Sequence, residues 1–220
     1  MKIRAVGFDI DGTLYPNDVL YRKSLLRALR HPRLMYHFGR LRKEIRQVRP
    51  IEDFYRLQAE LLARSLGVSE ERARWLIEER IYRRWEKIAA EVPLYARVRE
   101  VIARLRAENL RLGVLSDFPA GPKLEAIGLG GLWDCELSAE EVGYLKPNPE
   151  PFVSLASCLG VTPEEMVFVG NHESYDVLGA KSVGMKTALI VPERKADREN
   201  EADFTFTHYS QLLDWISPGT

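Results

Sequence analysis

Apolar and polar positions along the chain fall into two regimes. Residues 3–10 (IRAVGFDI) form a short, mostly apolar run with β-branched members, which predicts a buried strand. Gly12 and Thr13 then supply a turn. From about residue 18 to 92 the pattern becomes helical, rich in Leu, Arg, Glu, Ala and Tyr and poor in glycine. Phe54, Leu57 and Leu61 recur at i, i+3 and i+7 on one helical face. Ser69, with Arg72 three residues on, marks a helix start, and Pro32, Pro50 and Pro93 mark breaks.

After Pro93 apolar runs alternate with amphipathic stretches. The pattern predicts a helix over 98–109, a strand over 110–116 and a short helix over 123–127 that ends in Gly128, Gly130 and Gly131. Next comes a helix over 149–159, with Phe152, Leu155, Ala156 and Leu159 on one face. A strand over 166–169, a helix over 175–183 stopping at Gly184, a strand over 187–191 and an edge strand over 204–206 complete the series. Strands alternating with helices predict an α/β fold, a Rossmann-like parallel sheet with helices on both faces. In such sheets sites form at the carboxyl ends of the strands.

Composition narrows the classes. The chain has 220 residues, 45% of them hydrophobic, enough for one domain or one domain with an insert. Lys and Arg number 32 and Asp and Glu 32, a zero balance that argues against a generic nucleic-acid binder. Cys135 and Cys158 have neither metal-type spacing nor the look of a disulfide framework, which points to a reduced, cytoplasmic setting. The N-terminus lacks an apolar signal region, and no apolar run approaches the roughly 20 residues of a membrane span. The charged stretch 193–201 reads as a solvated loop.

Chemistry collects at the predicted strand ends. The first strand ends at Asp9 and Asp11, the second at Ser116 and Asp117, and the third at Gly170, Asn171 and His172, with Asp176 one helical turn further. Lys146 stands in GYLKPNPEPF, just before a helix. If the strands are parallel neighbours, these groups converge into a pocket of acids, a hydroxyl, an ammonium and helix N-termini. A carboxylate there can act as nucleophile and form an acyl phosphate. A second can protonate the leaving oxygen and then deprotonate water. Carboxylates also attract Mg²⁺, and an ammonium and a hydroxyl can hold phosphate oxygens. No Walker-type GxxxxGK[ST] motif competes.

Four segments in this order resemble the haloacid dehalogenase superfamily: FDIDGTL its DxDGT motif, VLSDF its Ser/Thr motif, GYLKPNPEPF its lysine segment, and VFVGNHESYDVLGA its acidic GDxxxxDxxGA segment. The resemblance implies a Mg²⁺-dependent phosphohydrolase acting on a small phosphorylated metabolite. Asp9 would be the nucleophile and Asp11 the general acid and base. Ser116 and Lys146 would bind the phosphoryl group. Asp9, Asp11, Asp176 and Asn171 would hold the metal. It also implies a core of residues 1–15 and 93–220 and a helical cap of residues 16–92.

One departure stands out: the first acid of the acidic segment is Asn171, which removes a charge and weakens metal affinity. Asp11 favours phosphate over halide chemistry, because a halide leaves without a proton. Mutase-type transfer to an acceptor, and a binding protein that has lost turnover, are the other readings. Asn171 favours the last of these. Tyr15 either lines the pocket mouth or packs at the hinge. Asp117 reads as a turn residue and His172 as an exposed loop residue. Between Asn17 and Pro50 ten basic side chains face two acids, either as a solvated helix face or as a funnel for an anionic substrate.

Overall fold

A computed structural model of the protein describes residues 2–28 and 31–216, with side chains for all of these except 24–28. The first strand, β1 (Ala5–Phe8), carries no polar side chain and is buried throughout. Five helices follow: α1 (Asn17–Ala28), α2 (Pro32–Ile45), α3 (Phe54–Leu66), α4 (Glu70–Ile77) and α5 (Arg83–Ala89), the last two joined by a π-helical turn, Glu78–Tyr82. Their ends follow local chemistry. Pro32 opens α2, where a missing N–H costs nothing. The Asp53 carboxylate accepts from Arg56 N at 2.9 Å, and the Ser69 hydroxyl accepts from Arg72 N at 3.2 Å.

The alternating half then unfolds much as its pattern predicts, through α6 (Val98–Ala107), β2 (Arg111–Ser116) and α7 (Gly121–Ala126). After these come β3 (Cys135–Ser138), α8 (Ala139–Val142), α9 (Pro149–Cys158) and β4 (Met166–Gly170). The predicted helix over 175–183 begins instead as a π-helical turn, Glu173–Val177, before α10 (Leu178–Ser182). The chain ends with β5 (Lys186–Ile190), β6 (Phe204–Phe206) and α11 (Tyr209–Ile216). β3, α8 and α11 have no counterpart in the sequence pattern. CELS is four residues with an exposed glutamate, too short and too polar to announce a strand.

The six strands form one sheet in the order β3-β2-β1-β4-β5-β6, with every pair parallel. Because side chains alternate across a strand, the sheet buries two faces. On one, Val6, Phe8, Val114 and Val169 pack with Val101, Ile102 and Leu105 of α6 and Leu212 of α11. On the other, Ala5, Leu115 and Phe168 pack with Phe152, Leu155 and Ala156 of α9. That second cluster also takes in Phe38, Leu41, Phe54 and Leu62 from α2 and α3. Gly7 and Gly113 let α9 lie close: a β-carbon at either would stand 2.7 or 2.8 Å from a Leu155 methyl.

The expectation of unpaired cysteines is corrected. Packing of α9 against β3 brings the Cys135 and Cys158 Cα atoms to 6.1 Å, and the two are joined as a disulfide. A separation of 23 residues in sequence carried no sign of that contact. The reading of a reduced setting loses the support it drew from free thiols. Among the described residues no helix is long and apolar enough to cross a membrane.

Candidate active site

Strand order reverses at β1, so a crevice opens outside the carboxyl ends of β1 and β4, where α/β sheets place their sites. Asp9 leaves β1 there, its N–H donating to Val169 O at 2.9 Å. The turn that follows demands glycine. Gly12 has φ +89°, and a β-carbon on it would lie 2.2 Å from the amide nitrogens of both Asn17 and Asn171. Thr13 donates its hydroxyl to Asp9 Oδ2 at 2.9 Å, and Tyr209 of α11 donates to the Thr13 carbonyl at 2.6 Å. α11, which the sequence pattern did not show, therefore holds the loop that follows β1.

Lys146 is the centre of the cluster. Its ammonium, buried, donates to Asp9 Oδ1 at 2.8 Å and to Asp176 Oδ1 at 2.6 Å. Asp176 Oδ2 accepts from the N–H groups of Asn171 at 3.1 Å and His172 at 3.0 Å. Burial pushes the Asp9 carboxyl up to about 7 against the lowering effect of Lys146, with Asp176 and Asp11 adding to the rise. Burial disfavours the Lys146 ammonium, but Asp176 and Asp9 outweigh it and hold the group above the ordinary lysine range.

Asp11 has different partners. Tyr15 donates to its Oδ1 and the Lys123 ammonium to its Oδ2. Lys123 lies on α7, only 2% exposed and 5.3 Å from the centre of the Phe118 ring. Tyr15 is fully buried in the core and does not line the pocket mouth. Burial and then Asp11 drive its phenol far above the usual range, which keeps it a proton donor.

Asp9, Asp11, Lys146, Asn171 and Asp176 line a cavity of about 270 Å³ to which α1, α2 and α5 also contribute side chains. Ser116, expected to hold phosphate, is buried outside that lining, and its hydroxyl accepts from Phe118 N at 3.1 Å. His172 is exposed at the rim and stacks on Tyr175 at 4.2 Å, and burial of the ring lowers its proton affinity. Asp117 is more than a turn residue. Its Oδ1 accepts from Lys146 N at 3.0 Å and its Oδ2 pairs with Arg46, which in turn donates to Lys146 O at 2.8 Å. The peptide that carries the lysine is gripped from both sides.

Part of the basic segment is neither a solvated face nor a funnel. Arg42, buried, pairs with Glu140, donates to Gln58 Oε1 at 3.0 Å and to Asp117 O at 2.6 Å, and lies 4.4 Å from the Phe118 ring centre. Tyr82 donates to the same Glu140 at 2.7 Å. Arg49 pairs with Glu150. Arg33, Arg40 and Lys43 are exposed, and the side chains of Arg27 and Arg30 lie outside the described residues. A signal for Arg42 was present: it falls within the apolar stripe Leu34, Phe38, Leu41, Ile45 of α2. Lys123 had none, since GPKLEA is too short to show a face.

The expected metal-ligand set is only partly assembled. Both side-chain oxygens of Asp11 and of Asp176 are engaged by lysines, a phenol or backbone N–H groups. Among the described residues no three Asp, Glu, His or Cys side chains group to hold a metal. Three other groups keep a lone pair beyond the contacts they make: the Asp9 carboxylate, which accepts from Lys146 and Thr13, the Asp11 main-chain carbonyl, which accepts from Asn17 at 3.3 Å, and the Asn171 amide oxygen. The Thr13 hydroxyl donates to Asp9 Oδ2 at 2.9 Å and lies 3.5 Å from Asn171 Oδ1, so these two oxygens converge. One carboxylate with two neutral oxygens fits a hard cation that keeps several waters and takes the rest of its shell from substrate.

The sequence pattern of the haloacid dehalogenase-like hydrolases matches residues 3–184. The chain belongs to that family. The fold alone does not separate the family's chemistries. An L-2-haloacid dehalogenase from Xanthobacter autotrophicus, 22% identical, superposes with a TM-score of 0.67 over 99% of this chain and all of its own. The curated relatives separate them. A glyceraldehyde 3-phosphate phosphatase from Methanopyrus kandleri is 30% identical over 97% of both chains. The pyrophosphatase PpaX of Halalkalibacterium halodurans is 28% identical over 98% of both. This member of the haloacid dehalogenase-like hydrolases is an enzyme of the phosphatase kind.

Proposed function

We propose that the enzyme hydrolyses a small phosphomonoester through a phosphoryl group carried transiently on Asp9. The observation that carries this reading is the Lys146 ammonium between Asp9 and Asp176 on the floor of the cavity, beside Asp11. An Asp9 oxygen attacks phosphorus as the bond to the leaving oxygen breaks, and Asp11 gives that oxygen a proton. Water then attacks the phosphoryl-Asp9, Asp11 takes the water proton, and phosphate leaves with the Asp9 carboxylate restored. Lys146 offsets charge on the phosphoryl oxygens. Ser116 shapes the loop through Phe118. Residues 16–92 act as the cap over a core of 1–15 and 93–220, excluding water when the substrate is bound.

Mg²⁺ would be held by Asp9, the Asp11 carbonyl and Asn171, with Asp176 anchoring the loop, and would supply positive charge against the nucleophile and phosphate. Phosphate release from 4-nitrophenyl phosphate is expected with Mg²⁺ and lost in EDTA. Calorimetry of Mg²⁺ binding to Asn171→Asp is expected to show affinity tighter by about tenfold, because a carboxylate replaces a neutral oxygen. Full activity after exhaustive chelation contradicts the metal assignment.

Lys123 holds Asp11 in place from behind the pocket. Lys123→Met is expected to cost about a hundredfold in kcat on an alkyl phosphate, the scale of general acid catalysis. The loss on 4-nitrophenyl phosphate, whose leaving group needs no proton, is expected to stay under about tenfold. Lys123→Arg keeps the charge and restores most of the difference. Equal losses on both substrates would assign Lys123 to folding alone.

A further inference from the structure

The cavity above Asp9 carries a charge balance that selects among phosphate esters. Three cationic side chains line it, and each is already matched. Lys146 faces Asp9 and Asp176, Arg46 faces Asp117, and Arg42 faces Glu140. Four acids line the same space: Asp9, Asp11, Asp117 and Asp176. Lys123, behind Asp11, is the remaining cation in contact with them among the described residues. Lys146 and the backbone serve the transferring phosphoryl group. Among the described residues, a second anion on the leaving-group side would meet no unmatched cation in the lining and would lie close to Asp117. Burying an unmatched charge is costly.

The walls on that side are apolar and flat. Trp85 of α5 stands edge-on to Phe118 at 4.5 Å between ring centres, and Phe38 of α2 stacks near Phe118 at 6.4 Å. Across the opening the Tyr175 ring lies against His172 on one side and Arg46 on another, 4.4 Å from the guanidinium carbon. Two polar atoms of lining residues are buried without a partner: Asn17 Oδ1, an acceptor, and Arg42 Nε, a donor whose charge Glu140 already balances. Neither atom calls for a charged partner: the first takes a hydroxyl or amide N–H, the second a hydroxyl or carbonyl oxygen.

We propose that the enzyme's substrates are phosphomonoesters whose leaving group is uncharged and presents a flat apolar face, and that a second anion on the leaving group is selected against. The proposal rests on the phosphatase reading above and goes further by naming what the phosphate is attached to. A volume of about 270 Å³ suits one ring with its phosphate. Aromatic rings in the walls favour aromatic surface in the ligand over aliphatic surface of equal area.

The test compares kcat/KM for benzyl phosphate, phosphoglycolate, the neutral amide of phosphoglycolate, and inorganic pyrophosphate, with 4-nitrophenyl phosphate as the control. Benzyl phosphate is expected to exceed phosphoglycolate by at least about tenfold, and the amide to exceed its parent acid. Trp85→Ala, checked for folding by its melting curve, is expected to lower the benzyl to phosphoglycolate ratio by about three- to tenfold. Phosphoglycolate or pyrophosphate hydrolysed as well as benzyl phosphate overturns the proposal, and so does a ratio that Trp85→Ala leaves unchanged. Hydrolysis of the control but of none of the four other compounds overturns it as well. An inert control sinks the phosphatase reading itself.

Discussion

Asp9→Asn abolishes phosphate release and, at pH 8, raises the melting temperature. The first half follows from the nucleophile: removing one costs at least about a thousandfold in kcat, because the other groups act only through it. The second half follows from burial. The Asp9 carboxyl is pushed up to about 7 from an ordinary 3.8, so the folded chain holds this proton more tightly than the unfolded chain does. The contribution of Asp9 to stability is therefore fully present below about pH 4 and is lost as pH rises through the window up to about 7. At pH 8 the folded enzyme holds a costly buried carboxylate that asparagine does not impose. At pH 4 the two proteins carry the same charge at this site, and the gain is expected to vanish. Melting curves of both proteins at the two pH values check the claim. A variant less stable than the parent at pH 8 would mean that the Lys146 contact outweighs burial.

Lys146→Met is the opposite case. The lysine is the cation between two buried acids, and removing one partner of such a pair costs about 3–5 kcal/mol, because the other charges stay buried without compensation. For a chain of this size that lowers the melting temperature by roughly 6–20 °C. Methionine nearly matches the volume of the lysine stem, so the effect is electrostatic. It is expected to shrink toward pH 5, as one of the two acids takes up a proton. Adding Asp9→Asn to Lys146→Met is expected to recover a large part of the loss at pH 8. That coupling, read from the four melting curves, separates the charge effect from a packing defect. Simple additivity of the two substitutions would contradict it.

The legible parts of the molecule were those written locally. β1, β2, β4 and β5 are short apolar runs, and each was predicted to within a residue or two of its observed span. Ser69 caps α4 as its spacing implies. Asp9, Lys146 and Asp176 meet because each follows or faces a strand end, and a parallel sheet with β1 between β2 and β4 brings those ends together. What the sequence hid is held by tertiary packing. β3 needs β2 beside it to be a strand at all. The Cys135–Cys158 bond depends on how α9 crosses β3. Tyr209 reaches Thr13 from the far end of the chain, and Lys123 reaches Asp11 from a helix of six residues. The basic run of α2 mixed two roles: Arg40 and Lys43 face solvent, while Arg42 and Arg46 fasten the helix over the site. Composition alone does not separate the two.

That fastening also bears on how the helices over the site affect the chemistry. Arg46 and Asp117 hold the Lys146 peptide by its carbonyl and its N–H, so the end of α2 touches the segment that carries Lys146.

The measurement that bears most directly on the account is the mass of the phosphoryl-enzyme. Asp11→Asn lacks the group that activates water and is expected to accumulate the intermediate when mixed with 4-nitrophenyl phosphate and Mg²⁺. After acid quench and digestion, the account predicts one added phosphoryl group on the peptide containing Asp9, absent from Asp9→Asn. Phosphate release by the wild-type enzyme with no label at Asp9, or with the label on another residue, would contradict it.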